Sequence, residues 1–475
     1  MNRRYILLLF SLAIRHRFLR EFFKTPIEKV IYNAVVKNGP PYSKPIKMNL
    51  YYYLSALMHS TFRSLDKGFI SPHALKRAVD TLLNRTLLKA GYVTSVPQRF
   101  KEKYGVYPPM LMVLSPTQQC NLNCKGCYAG SLANTTKKIP FEIVDRIMQE
   151  AHDEFGMPFI SFSGGEPFLY SDNGKTLMDI YKKYDDIFFL VFTNGTLITP
   201  EVAEQLKELG NVTPAISIEG FAKDTDSRRG KGTFNKILNA FENLRNAGAH
   251  FGVSLTATKD NIQTLLTDEF YDFLFEEQGI TYIWLFQFMP IGRGTKSLEQ
   301  MISPQERLAL FRQWQRLVIE KKYCIADFWN SGMLAQGCIA YGRSGGYFYI
   351  DWNGNIMPCV FVPYYTNNIY DLYKEGTSLK DAMFSEFFVR GREWQKKYGY
   401  RNYENIGNCL MPCSIRDHYE NFCANLLSPE AKPADSYAQE ALNSEEYRDA
   451  LKKFDQELED LTQEIWEKEF LQKEK

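Results

Sequence analysis

The apolar residues of this chain follow two rhythms. Between residues 110 and 288, short apolar runs recur: Met110–Leu114, Phe159–Phe162, Ile187–Phe192, Pro214–Ile218, Phe251–Thr256 and Ile283–Phe288. Runs of this length bounded by turn residues predict buried strands. Between them lie stretches with apolar residues three and four apart, among them Phe141–Phe155, Pro200–Leu209 and Thr233–Ala247, which predict amphipathic helices. Six strand-then-helix units in series predict an α/β fold with a parallel sheet, open or curled into a partial (β/α)6 TIM-like barrel. In such a barrel the chemistry gathers at the C-terminal ends of the strands.

The flanks read differently. Pro26–Val35, Leu50–Phe62 and the stretch from Ser71-Pro72 to Leu83 predict helices, with Pro26 in a first turn and a break at Asn38-Gly-Pro-Pro41. No strand alternation interrupts them. Ser444–Phe470 predicts one helix whose Leu451, Phe454, Leu458, Leu461 and Ile465 form a seam at three- and four-residue steps. A seam this short is expected to cover the protein's own core. The predicted organisation is a helical region at 1–105, the α/β unit at 106–300, a cysteine-rich region at 301–428 and a C-terminal helix at 429–475.

Charge adds a question at the start of the chain. Arg3-Arg4, the apolar Tyr5–Ile14 and then Arg15-His-Arg-Phe-Leu-Arg20 look like a secretory signal, but no small-residue cleavage site follows. The apolar run is too short to span a membrane. Two readings stay open. Phe18, Leu19, Phe22 and Phe23 lie at an interface while Arg15, Arg17, Arg20 and Lys24 reach anionic headgroups, or the helix docks on its own protein with its cations at the edge.

With 475 residues, 45% hydrophobic and a net charge of +2, the chain has the composition of a globular protein of two or three domains and not of a nucleic-acid binder. Its nine cysteines are clustered, which favours metal ligation in a reducing compartment over disulfides.

The chemistry concentrates at the predicted strand ends. After the first comes Cys120-Asn-Leu-Asn-Cys124-Lys-Gly-Cys127-Tyr128, a C-x3-C-x2-C loop. Three thiolates on one loop can hold three irons of a 4Fe-4S cluster and leave the fourth iron open. A zinc site would more usually pair C-x2-C units. After the second strand comes Ser163-Gly164-Gly165-Glu166-Pro167, whose glycines admit a ligand to the backbone and whose acid can accept from an ammonium group. Then follow Thr193-Asn194-Gly195-Thr196, Ser217-Ile-Glu219-Gly220 with Arg228-Arg229, and Gln287 to Arg293.

In this order, the three-cysteine loop and the Gly-Gly-Glu-Pro turn resemble the signature of the radical S-adenosylmethionine (radical SAM) enzymes. The resemblance implies a cluster on Cys120, Cys124 and Cys127 whose open iron is chelated by SAM. An external one-electron reductant of flavodoxin or ferredoxin type would reduce it. The resulting 5'-deoxyadenosyl radical would take hydrogen from a substrate. It implies SAM contacts at Gly164, Gly165, Glu166 and Pro167 (amino group), Asn194 (ribose), Ser217, Glu219 and Arg229, with Arg228 as the spare guanidinium for the carboxylate. One position departs: the family often has an aromatic residue before the third cysteine, and here Gly126 leaves that contact to Tyr128 or the backbone.

Cys338, Cys359, Cys409-Leu-Met-Pro-Cys413 and Cys423 resemble a reduced SPASM/twitch extension, lacking the C-x2-C pair expected before Cys409. Gly345–Gly354, between the first two, reads as two strands with an Asn-Gly turn. The resemblance implies one auxiliary 4Fe-4S cluster on Cys338, Cys359 and Cys413, with Cys409 or Cys423 as fourth ligand. Structural thiols or zinc are the alternative, and the isolated Cys324 reads as a packed thiol. A peptide, a protein or a membrane lipid is the expected substrate. The helical pattern before residue 100 does not resemble the small strand-plus-helix peptide-recognition domain of some relatives. The competing class is an iron–sulfur electron carrier without SAM turnover, which would gain nothing from an open iron. The expected location is cytoplasmic, membrane-peripheral if the first helix lies at an interface.

Overall fold

Six parallel strands form the centre, in chain order across the sheet: β1 (Leu111–Leu114), β2 (Phe159–Phe162), β3 (Phe188–Thr193), β4 (Val212–Ser217), β5 (Gly252–Ala257) and β6 (Ile283–Gln287). The structure is a computed structural model that describes residues 13–14, 17–83 and 95–471. Alternate residues of a strand face opposite sides, and here the two sides differ. Met112, Leu114, Ile160, Phe162, Phe189, Val191, Ile216, Val253 and Leu255 are buried in the main hydrophobic core. The residues between them, including Val113, Ser161, Phe192, Ser217, Thr256 and Phe286, line one cavity. A flat sheet could not bring β1 and β6 to the same cavity, so the sheet curls as a partial barrel.

Strands from the cysteine-rich stretch extend both edges. β7 (Ile325–Asp327) adds parallel to β6. β8 (Tyr349–Ile350) adds parallel to β1, followed by the antiparallel β9 (Asn355–Met357) and β10 (Asn367–Asn368). The hairpin expected in Gly345–Gly354 is therefore displaced: its second strand starts after Gly354. The cause is Asp351, whose Oδ1 accepts the backbone N–H groups of Asn353 and Asn355, both at 2.9 Å, and closes the turn locally.

The described part of the N-terminal region is helical. Pro26 lies inside the helix Arg17–Tyr32 rather than in its first turn. The proline removes one helical hydrogen bond, and burial of Ile27 against Met58 and Phe62 offsets that cost. Most of the basic-apolar start lies outside the described residues, including Arg15. Of the four cations assigned to a lipid face, Arg20 is buried and pairs with Asp66 at 2.9 Å, Arg17 approaches the same carboxylate, and Lys24 pairs with Glu21. Phe23 packs against the protein, whereas Phe18 and Phe22 are exposed and touch each other. Among the described residues no helix is long and apolar enough to cross a membrane.

The long helix Lys44–Asp66 docks on the far edge of the sheet, with Ser60 Oγ donating to the Lys322 carbonyl and Arg63 to that of Lys321. Cys324 is fully buried there, as a packed thiol should be. At the C-terminus, Glu445–Ile465 and its wider last turn Trp466–Phe470 bury Leu451, Phe454, Leu458, Thr462, Trp466 and Phe470. The seam shifts from Leu461 and Ile465 to Thr462 and Trp466 because a straight helix drifts off a seven-residue repeat.

Candidate active site

The cavity opens at the C-terminal strand ends. The Cys120–Cys127 loop closes one side of it, and Phe328, Tyr347 and Phe361 from the cysteine-rich region close another. The loop is braced from below. Arg293 donates to the carbonyls of Ser131 and Cys124, and a side chain at Gly292 would collide with the Tyr128 carbonyl. Donors point at its sulfurs: the Leu122 amide and Asn194 Nδ2 stand 3.5 and 3.8 Å from Cys120 Sγ, and Arg229 Nη1 stands 4.0 Å from Cys124 Sγ. Burial pushes the Cys120 thiol up to about 11 and raises Cys124 as well. Both stay protonated near neutral pH until something on the loop displaces the proton.

The Gly-Gly turn is pinned to the segment that leads into Cys120. Gly165 N donates to Thr117 O and Glu166 N to Gln119 O, both at 2.8 Å. A Cβ at Gly165 would lie 2.1 Å from that Gln119 oxygen. Gly164 and Gly165 line the cavity, but the carboxylate of Glu166 does not. It is fully buried and accepts from Thr193 Oγ1 at 2.7 Å, Asn194 N at 2.8 Å and Phe168 N at 3.1 Å. Burial raises its pKa, while the three hydrogen bonds and the Arg229 charge favour the carboxylate form. A direct contact of this acid with an ammonium group is therefore not what the geometry shows: Glu166 ties the ends of β2 and β3 together. Pro167 opens the short turn behind it and also lies off the cavity wall.

Asn194 does reach the cavity, held by Asn121 Oδ1 at 2.8 Å and by Thr196. Ser217 lines it too, paired with Ser254 at 3.0 Å. Glu219 is buried behind the wall, where its Oε1 accepts from Arg229 Nε at 2.8 Å and stands 2.7 Å from Arg228 Nη1. Its role is to aim the two arginines, both of which line the cavity.

Tyr128 gives its hydroxyl to the Gly-Gly turn, 2.7 Å from Ser163 Oγ and 3.2 Å from Gly164 N. The space above Gly126 is taken by Phe288: a Cβ on Gly126 would sit 2.6 Å from its ring. The aromatic residue missing from the loop thus arrives from the end of β6. Sequence reasoning placed Gln287 to Arg293 at the pocket but did not single out this ring, nor the wall of Trp284, Phe286, Phe328, Tyr347 and Phe361. The glycine at 126 was the available signal for Phe288. The rest of the wall depends on how the later region folds back.

The second set of cysteines divides. Cys338, Cys359 and Cys413 line one small cavity, which shares Phe328, Ile339 and Tyr347 with the main one. Tyr347 Oη lies 2.8 Å from Cys359 Sγ. Burial pushes the Cys359 thiol up to about 12 and Cys413 higher still. Cys409 and Cys423 are not on that cavity's wall. Cys409 is buried next to it, its carbonyl against Gly332 of the wall, and it shares a narrow cleft with Cys338. Cys423 is half-buried beside Tyr419, against the same hydrophobic cluster as Cys338, Cys359 and Cys413. Among the described residues no three His, Cys, Asp or Glu side chains converge on a single-ion position.

Comparison with known proteins agrees with this geometry. The model of the Radical SAM superfamily matches residues 114–268. The mycofactocin maturase MftC of Mycolicibacterium smegmatis is 28% identical over 71% of this chain and 86% of its own. An AdoMet-dependent heme synthase of Methanosarcina barkeri is 28% identical over 70% of this chain and 95% of its own. The Fe-coproporphyrin III synthase of the same organism is 31% identical over 44% of this chain, and the match spans only 51% of that protein. Among solved structures, Streptococcus suis SuiB bound to S-adenosylmethionine shares the fold, with a TM-score of 0.52 at 18% identity over 74% of this chain and 80% of that one. SuiB bound to the precursor peptide SuiA gives 0.51 at 20% identity over 74% and 79%. Residues 114–268 carry a radical SAM domain, and the chain is a radical SAM enzyme that uses a 4Fe-4S cluster and SAM.

Proposed function

We propose that Cys120, Cys124 and Cys127 hold the SAM-binding cluster and that the cavity beside them receives SAM and the reacting part of a peptide substrate. The observation that carries this reading is the meeting, on one cavity, of the three-thiol loop, the Gly164-Gly165 turn, Asn194 and the two arginines. The donor set fits the group: amide and guanidinium hydrogens point at the sulfurs, which favours thiolate ligands. The wall also carries buried polar atoms with no protein partner, Ser161 Oγ and Gln287 Oε1, where a polar ligand can bond.

When bound, the reduced cluster supplies the electron that cleaves SAM to a 5'-deoxyadenosyl radical. The chain's own residues bind and enclose. The close approach of Gly164 and Gly165 offers backbone carbonyls to the amino group of SAM. Arg229, aimed by Glu219, meets its carboxylate, and Asn194 holds the ribose side. Phe288 supplies an apolar face beside Gly126. Trp284, Phe286, Phe328 and Phe361 exclude water around the reacting carbon. This aromatic lining suits an apolar side chain.

A peptide is favoured by the maturase relative MftC and by SuiB, whose structure includes a precursor peptide. A membrane lipid is less well supported, since Arg20 is spent on Asp66. Cys338, Cys359 and Cys413 hold one auxiliary cluster in this reading, with the adjacent Cys409 as fourth ligand in preference to Cys423. A flavodoxin- or ferredoxin-like protein supplies electrons. The test is Cys124→Ala with the auxiliary cysteines intact. SAM cleavage should disappear while the second cluster remains; unchanged cleavage would refute the assignment.

A further inference from the structure

Behind the cavity of Cys338, Cys359 and Cys413 lies a buried cation whose guanidinium makes no hydrogen bond. Arg416 is fully buried, and its Nε, Nη1 and Nη2 have no hydrogen-bond partner. Its guanidinium lies between two rings, 5.0 Å from the centroid of Trp329 and 4.9 Å from that of Phe454. Its own backbone N–H donates to Cys413 Sγ at 3.4 Å. Trp329 is a wall residue of the thiol cavity, and its buried Nε1–H also lacks an acceptor.

The carboxylates nearby do not resolve this. Asp417 is taken by Arg307 in a two-pronged pair at 2.6 and 3.1 Å. Asp327 accepts from Asn330, Trp329 N and Gln287. Asp455 gives Oδ2 to the Tyr419 amide, and its Oδ1 is unpaired. A guanidinium cannot shed its proton at ordinary pH. Burying it without a hydrogen bond costs more than two aromatic faces return. Chains keep such a charge where an anion completes it.

We propose that Arg416 is the built-in counter-cation of the auxiliary iron–sulfur cluster, a positioning residue that acts through Cys413 and Trp329. This rests on the auxiliary-cluster reading above. A cluster held by thiolates carries net negative charge, and nearby charge is one of the levers that set its potential. Once held by thiolates, the cluster would bring that negative charge into a dry interior. With Arg416 behind the thiols, part of that negative charge would be offset from the protein side, away from the substrate cavity.

The test uses the full chain reconstituted anaerobically with iron and sulfide, as wild type, Arg416→Met and Arg416→Lys. The readout is an EPR-monitored redox titration of the second cluster, with iron counted per chain. R416M should move that cluster's midpoint to more negative potential, and R416K should stay close to wild type. Loss of the second cluster in R416M with recovery in R416K would also support the proposal. A second cluster whose midpoint is the same in wild type and R416M would overturn it while leaving the auxiliary-cluster reading intact. Loss in both variants would overturn it too, because charge would then not be what the cluster needs. A wild-type chain that takes up no second cluster would overturn the reading and this proposal together. The rival partner is Asp455: if Asp455→Asn shifts the midpoint as far in the positive direction as R416M shifts it in the negative one, Arg416 is balanced by that carboxylate and the proposal fails.

Discussion

The carboxylate of Glu166 accepts the backbone N–H of Asn194 at 2.8 Å. This bond, with the one from Thr193 Oγ1, joins the Gly-Gly turn after β2 to the end of β3, so two walls of the cavity move as one body. Glu166→Gln keeps the size but turns an amide NH2 toward the backbone N–H of Asn194 or of Phe168, which can only donate. Removing such a buried acceptor should destabilise the fold by roughly 2–4 kcal/mol. Denaturant unfolding of the variant beside wild type measures this. An unchanged midpoint would mean that the acid is not the tie between the strands.

Gly165 faces the Gln119 carbonyl so closely that no side chain fits. Gly165→Ala should therefore displace the segment that enters Cys120. The expected result is a chain that still folds around its intact core but reconstitutes with about four fewer irons than wild type, the content of one 4Fe-4S cluster. Iron and sulfide analysis decides it.

Arg229 stands between Glu219 and Cys124. Arg229→Met should weaken SAM binding at least tenfold, about 1.4 kcal/mol, by removing a charge-assisted contact. Equilibrium binding of SAM to the reconstituted chain measures this. Arg228→Met, which leaves the hydrogen-bonded pair of Arg229 with Glu219 in place, should do less.

His250 predicts an acid limit to stability that is independent of the clusters. Its Nε2 lies 2.8 Å from Thr281 Oγ1, and burial lowers its pKa to about 4. The folded chain keeps the ring neutral, whereas the unfolded chain protonates it near pH 6.5. Stability from this group is complete above pH 6.5 and falls as pH drops toward 4, by about 2 kcal/mol at pH 5. His250→Gln, which cannot charge, should flatten that part of the stability profile. Urea unfolding at pH 7 and pH 5 compares the two chains.

The sequence was most legible where period alone decides the outcome. All six central strands lie within a few residues of the apolar runs, and the helices Pro200–Leu209 and Thr233–Ala247 have the predicted bounds. The site motifs were legible because each is a continuous segment at a strand end. What the sequence did not carry was orientation. Glu166 was expected in the pocket and faces inward, since its partners come from β3, distant in the chain. Ile325–Asp327 is too short to signal a strand, and Phe328 and Tyr347 join the wall only because the strands beside them extend the sheet at opposite edges. Pro26 reads as a helix start unless the burial of Ile27 is known.

Anaerobic reconstitution followed by iron and sulfide counts and a dithionite-driven assay for 5'-deoxyadenosine tests the central claim most directly. The account predicts about eight irons per chain, two 4Fe-4S clusters, together with 5'-deoxyadenosine formed from SAM. About four irons with 5'-deoxyadenosine would remove the auxiliary cluster. A fully loaded chain that forms no 5'-deoxyadenosine, even with candidate peptides present, would contradict the account of the cavity beside Cys120, Cys124 and Cys127.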